Sequence, residues 1–407
     1  MKAYERMLEY VKYPTASDPK NDVVPSTETQ WDLARALVKE MEEMGISNVT
    51  LDDHCYVMGE IPSNIEGYKG PSVGFVAHMD VSYEAPSENI KAQVIEYDGG
   101  DIIQNEELDL RIDAATFPFI ENYKGCHIIT SDGTTLLGAD NKAGIAEILT
   151  MAETLLNNPE IKHGTVKIAF TPDEEIGAGT DFFDVEKFGA DFAYTVDGDA
   201  FGECQSETFN AFTANVYVTG FNIHPGSAKN KMKNAARIAA EYEVMIPDSE
   251  TPEHTEGFEG FYHLCEVKGD IERTEMEYII RDHDLAEAER RCEFMKKVAD
   301  YLNIKYGEGT VRVEIIPSYR NMKEVIEANP QVIDIVMSVY EEMGVNPDTA
   351  PIRGGTDGAN LSFMGLPCPN LGVGGHNFHG VKEFAVVEDM DKVVDLLVRI
   401  SKKVAEI

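Results

Sequence analysis

Five short segments carry side chains that bind cations. They are Ala77-His78-Met79-Asp80, Gly138-Ala139-Asp140-Asn141-Lys142, Thr171-Pro172-Asp173-Glu174-Glu175, Thr195-Val196-Asp197-Gly198-Asp199 and Gly375-His376-Asn377-Phe378-His379-Gly380. A histidine such as His78 can ligate through one ring nitrogen. A carboxylate two residues on, here Asp80, can accept a hydrogen bond from the other nitrogen and fix the tautomer. If the segments converge, they offer two histidines and three carboxylates. Sharing one carboxylate lets such a set hold two metals about 3.5–4 Å apart. Mixed imidazole and carboxylate donors without thiolate suit zinc, with manganese or cobalt as substitutes. Each segment also has an ordinary reading. His-x-Asp can be a plain pair, and Asp-Glu-Glu a solvated face in a chain with 73 acids. Asp-Gly-Asp can be a turn. What sets the five apart is that each falls at the end of an expected strand or the start of an expected helix.

Those elements follow from apolar spacing. Residues 29–45 have helical periodicity, with Leu33, Leu37, Val38 and Met41 on one face and Gly45 as the stop. Residues 73–77, 166–170 and 192–196 are short apolar runs that read as buried strands, and 143–156 reads as an amphipathic helix. Helices between buried strands predict an α/β domain with a central mixed sheet flanked by helices. In such sheets, sites form at the carboxyl ends of strands. The texture changes after residue 207. Residues 209–218, 272–281 and 311–316 alternate like half-exposed strands, and 285–301 reads as a helix. The expectation is a catalytic domain in two segments, 1–207 and 321–407. A smaller α+β domain of the lid or dimerisation type, 208–320, interrupts it. Helices at 331–343 and 391–404 close the chain. The glycines of 372–375 make no dinucleotide fingerprint, because no helix of βαβ spacing follows them.

Composition narrows the partners. The chain has 35 Lys+Arg against 73 Asp+Glu, a net charge of −38. A surface this negative repels phosphate backbones and anionic lipid, so neither nucleic acid nor a membrane is expected as a partner. The N-terminus lacks the apolar run of a signal peptide, and no stretch approaches 18 apolar residues. The 6 cysteines are scattered without a CxxC pair and read as reduced thiols. A cytoplasmic location is expected.

Longer motifs accompany the five segments. They include Leu137-Gly138-Ala139-Asp140-Asn141-Lys142-Ala143-Gly144, Phe170-Thr171-Pro172-Asp173-Glu174-Glu175-Ile176-Gly177 and His224-Pro225-Gly226-Ser227-Ala228. Further ones are Glu256-Gly257-Phe258-Glu259-Gly260-Phe261-Tyr262-His263, Tyr278-Ile279-Ile280-Arg281-Asp282 and Ile352-Arg353-Gly354-Gly355-Thr356-Asp357-Gly358. With these the chain resembles the M20 metallopeptidases over nearly its whole length. The likeness is strongest to members that release the N-terminal residue of tripeptides. The resemblance implies that His78 and Asp197 hold one zinc and Glu175 and His379 the other, with Asp140 bridging and the Asp140–Asn141 peptide cis. It implies Asp80 and Glu174 as catalytic residues, Glu174 being the general base that activates a water between the zincs. His379 is preferred to His376 because His379-Gly380 followed by Glu383-Phe384 fits the family, which usually has an aromatic residue where His376 stands.

The resemblance also implies substrate contacts from the inserted domain. His224 would stabilise the oxyanion, and Arg281 or Arg353 would clamp the carboxylate of a short peptide and so limit its length. The ordinary reading of either arginine is an ion pair in an acidic protein. The expected partners are short peptides and a second copy of the chain, since relatives of this kind often dimerise through the inserted domain. An alternative keeps the dizinc site with another substrate, as a dipeptidase, carboxypeptidase or N-acyl amino acid deacylase. A non-catalytic peptide-binding protein is the third reading.

Overall fold

The computed structural model describes residues 1–407, and the chain divides into two compact units. The first comprises Met1–Ser206, Glu324–Ala350 and Thr356–Ile407; the second comprises Glu207–Lys323 and Pro351–Gly355. The last short segment contains Arg353, which the sequence reading placed in the second catalytic segment. Its backbone and side chain explain the difference. Phe209 N–H donates to the Gly354 carbonyl, and the Arg353 guanidinium donates to the carbonyls of Gly257 and Glu259.

The first unit is built on a seven-stranded sheet. Its order is Ser47–Leu51, Val57–Ile61, Val166–Thr171, Val73–His78, Phe192–Gly198, Asn370–Gly372, Cys204–Gln205. The four strands from Val166–Thr171 to Asn370–Gly372 run parallel, and antiparallel strands flank them on both sides. All six residues of Val73–His78 are buried, as a central strand covered on both faces requires. Register aligns the carboxyl ends: His78 pairs with Thr171, and Gly198 with Gly372. The covering helices carry apolar stripes. In Val387–Val404 the buried residues include Met390, Val393, Leu396, Leu397, Ile400 and Val404, spaced three and four apart. Gln30–Met44 stops at Gly45, whose φ of +86° is the left-handed conformation that glycine supplies.

The unit also contains a second, antiparallel sheet of short strands in the order Gly375–His376, Phe384–Val386, His127–Thr130, Gln93–Glu96. The sequence pattern gave no sign of it.

The second unit is a four-stranded antiparallel sheet in the order Phe261–Gly269, Arg273–Asp282, Asn210–Thr219, Val311–Tyr319. Helices Ala235–Val244 and Leu285–Tyr306 cover one face. Ala214, Val216, Met276, Tyr278 and Ile280 of the strands pack there with Ile238, Tyr242, Met295, Val298 and Leu302. No helix of the chain is long and apolar enough to cross a membrane.

Candidate metal centre

Four loops leave the carboxyl edge of the parallel strands, and a helix begins beside them. Val73–His78 ends on His78 itself. The turn after Val166–Thr171 carries Glu174 and Glu175, and Phe192–Gly198 carries Asp197 near its end. Helix Ala139–Asn157 opens with Asp140, where the backbone departs from helical angles and the Asp140–Asn141 peptide is cis, as the resemblance implied. That helix start lies hard against the Asp197 strand. A Cβ on Gly144 would sit 2.0 Å from the Val196 carbonyl oxygen, so only glycine permits the approach.

These side chains meet. His78 Nε2 lies 2.9 Å from Asp140 Oδ1 and 3.1 Å from Asp197 Oδ1. His379 Nε2 lies 3.1 Å from Glu175 Oε2 and 3.4 Å from Asp140 Oδ2. Asp140 therefore faces both histidines, with one oxygen toward each. Donor atoms of His78, Glu174 and Asp197 fall within 4.8 Å of one another, as do those of His78, Asp140 and Glu175. His78 is buried, while His379 is open at one side.

The electrostatics call for positive charge. Asp140, Glu174, Glu175 and Asp197 put four half-buried carboxylates into one spot with two imidazoles. Burial, then the charge of Asp140, pushes Glu175 up to about 11, and burial pushes Asp197 up to about 6. Burial drives Glu174 well above the ordinary carboxylate range as well. For His78 burial opposes the charge, but Asp197, Asp140 and Asp80 outweigh it and favour the imidazolium. Glu175 Oε1 is buried and has no hydrogen-bond partner. Two divalent cations would match four carboxylates in charge and give that oxygen a partner, so the donor set fits such a pair.

Residues around the cluster hold it in place. Asp80 lies beside the His78 ring as expected and has further contacts. The His78 Nδ1 hydrogen bond is to the main-chain carbonyl of Asp80, at 3.0 Å, and the carboxylate oxygen lies farther off at 3.4 Å. The Asp80 carboxylate also accepts the backbone N–H groups of Glu174 and Glu175, at 3.0 and 3.1 Å. The reason is local geometry: the Asp173–Ile176 turn directs two successive amides at it. Sequence reasoning missed four supports. Asp173, left-handed at φ +55°, is held through its carboxylate by Ser26 and Gln30. Glu84 lies 3.0 Å from His379 Nδ1. Glu383 accepts the N–H groups of Leu137, Gly138 and Asp140. Lys142 is buried, donates to the Tyr13 carbonyl and faces the charges of Glu383 and Asp80. Spacing to a ligand was the only available signal, as in Glu383 four residues after His379.

His376 does not join the cluster. It is buried among Phe119, Tyr123 and Phe384, with ring centroids 4.9–5.2 Å away, and its Nε2 is 2.8 Å from the Tyr123 hydroxyl. It fills an aromatic position, and burial lowers its pKa to about 4.

His224, Arg281 and Arg353 belong to the second unit. His224 Nδ1 accepts the Gly226 N–H at the start of a 3-10 turn, and its ring is otherwise exposed to solvent. Arg281 donates to the carbonyls of Phe212 and Ile280 and lies over the Tyr319 ring. Arg353 donates to the carbonyls of Gly257, Glu259 and Thr255 and lies over Phe209 and Phe261. Neither arginine pairs with a carboxylate, so the ion-pair reading of both is set aside. All their acceptors are neutral.

Residues 130–403 match the profile of peptidase family M20/M25/M40. A relative named Peptidase T, from Alkaliphilus oremlandii, is 50% identical over 398 residues, covering 97% of this chain and 97% of its own. The crystal structure of aminopeptidase PepT from Bacillus cereus shares the fold, with a TM-score of 0.78 at 23% identity, over 99% of this chain and 98% of that one. The fold is also that of a Bacillus subtilis protein described as a dinuclear metal binding peptidase from the M20 family. Its TM-score is 0.65 at 15% identity, covering 99% of this chain and 97% of that one.

Proposed function

The chain belongs to peptidase family M20/M25/M40, and from that premise we propose that it is a metal-dependent aminopeptidase releasing the N-terminal residue of tripeptides. The observation that carries this reading is the convergence of His78, Asp140, Glu174, Glu175, Asp197 and His379 at the carboxyl edge of the four parallel strands. The cofactor is a metal, and two zinc ions are the form proposed. His78 and Asp197 would hold one ion, Glu175 and His379 the other, and Asp140 both. When bound, the pair would polarise the scissile carbonyl and make a water molecule acidic near neutral pH.

The chain's own groups do the rest. Glu174 is the general base: its carboxylate takes one proton from the attacking water as the water oxygen bonds to the carbonyl carbon. It returns that proton to the amine nitrogen as the C–N bond breaks. Asp80 orients Glu174 and Glu175 together through their amides. His224 is assigned to the developing oxyanion. Arg281 and Arg353 are assigned to the terminal carboxylate of the peptide. In support, both are guanidiniums that no carboxylate of this acidic chain has neutralised.

The test is a panel of di-, tri- and tetrapeptides with a tripeptide bearing an N-acetyl cap. The free tripeptide should be cleaved fastest, with release of its first residue, and the capped one left intact. Arg281→Ala or Arg353→Ala should flatten the preference for three residues. Cleavage of the capped peptide would move the assignment to the deacylase or carboxypeptidase reading. An unchanged length preference in both variants would remove the arginine clamp.

A further inference from the structure

Glu383 is buried at 1% exposure and is neither a member of the cation-binding cluster nor a partner of any arginine or lysine ion pair. Its two carboxylate oxygens take three backbone amides of one turn. Oε2 accepts the N–H groups of Leu137 and Gly138 at 2.7 and 2.8 Å, and Oε1 accepts that of Asp140 at 3.0 Å. Gly138, at φ +80°, is left-handed, and this conformation turns successive amides toward one anion. The other end of Glu383 is anchored. Thr130 Oγ1 donates to its carbonyl, and the adjoining Phe384–Val386 strand pairs with His127–Thr130. Its own N–H donates to the Gly380 carbonyl, which closes the turn directly after His379. One side chain thus ties the loop carrying His379 to the turn carrying Asp140. These two residues share a cation position with Glu175 in the proposed centre.

We infer that Glu383 is a positioning residue that fixes Asp140 against His379 and thereby sets the affinity of the Asp140–Glu175–His379 cation position. The inference rests on the two-cation reading above. An anionic carboxylate is suited to this task because it offers acceptors only. A glutamine in its place presents an N–H where an amide N–H already points, so either Asp140 or the Leu137–Gly138 pair loses its acceptor. Alanine orphans all three. Supporting groups of this kind change metal affinity by about 10–100-fold when removed.

The experiment titrates zinc into chelator-stripped protein against a chromophoric competitor. It compares wild type with Glu383→Gln, Glu383→Asp and Glu147→Gln, and follows backbone amide exchange of residues 136–141. Glu147 is the control, since it is equally buried on the helix that Asp140 opens and makes no hydrogen bond to the site. Expected are two zinc ions for wild type and for Glu147→Gln. In Glu383→Gln one of the two should bind at least about 10-fold more weakly, with faster exchange at 136–141. Glu383→Asp should recover part of both effects if its shorter side chain keeps even one oxygen in place. If Glu383→Gln binds both ions like wild type, the inference is overturned. If Glu383→Gln does not fold, folded Glu383→Asp with wild-type affinity and exchange overturns it equally. A wild-type chain that takes up fewer than two ions sinks the two-cation reading itself, and this inference with it.

Discussion

Glu174 and Glu175 are adjacent in sequence yet are assigned different work, and one carboxylate makes this possible. Asp80 holds both backbone amides, so the turn cannot rotate to exchange their side chains. Glu175 then reaches His379, and Glu174 faces His78 and Asp197. Because Glu174 is near enough to ligate, its role as base needs a direct check. Glu174→Gln should lower turnover at least about 10²-fold, the usual scale for a general base, while two cations stay bound. If zinc analysis shows an ion lost and added metal restores activity, Glu174 is a ligand instead. At this scale the five segments were legible because each places a metal-binding side chain at a strand end, a helix start or an adjoining loop. The supports were not. Asp173 looks like one more acid until Ser26 and Gln30 are seen around it, 147 and 143 residues away. Asp80 was noticed for its ring-nitrogen contact alone, because sequence spacing cannot show which amides will turn toward it.

The elements divide by how much apolar surface they bury. Val73–His78, Val166–Thr171 and Phe192–Gly198 are apolar runs covered on both faces, and their sequence declares them. Gln93–Glu96, His127–Thr130 and Phe384–Val386 are three or four residues long, alternate weakly, and pair only after the chain has travelled far. Nothing local marks them, although they anchor Glu383. Helix Ala139–Asn157 also carries a fully buried acid. Glu147 has no hydrogen-bond partner for either oxygen, and burial, reinforced by Asp389, drives its pKa well above the ordinary range. Asp389 is itself paired with Lys392. Folded Glu147 therefore keeps its proton at pH values where the unfolded chain, titrating near about 4.3, has lost it. The native state binds more protons across that window, so stability falls as pH rises. Glutamine cannot ionise. Glu147→Gln should gain melting temperature over wild type as pH is raised from 5 toward 8, the gain growing until the folded carboxyl itself ionises. Parallel melting curves at both pH values would show that Glu147 is charged in the folded state.

Across the molecule, the charge of −38 far exceeds what the site uses. Most of it lies on the surface, where it favours solubility and discourages anionic partners. Against that charge, Arg281 and Arg353 spend their donors on main-chain carbonyls and not on a carboxylate. The placement of Pro351–Gly355 with the second unit was not legible, because it depends on Arg353 meeting carbonyls 94 and 96 residues away. Family membership and fold were legible because contiguous motifs such as residues 137–144 and 170–177 and the apolar strands beside them are local in sequence. The measurement that bears most directly on the account is zinc content per chain in a titration of metal-stripped protein, read alongside hydrolysis of an unblocked tripeptide. The account predicts two ions at saturation and no cleavage before metal is added. Full cleavage by the stripped protein, or saturation without any bound ion, would contradict it.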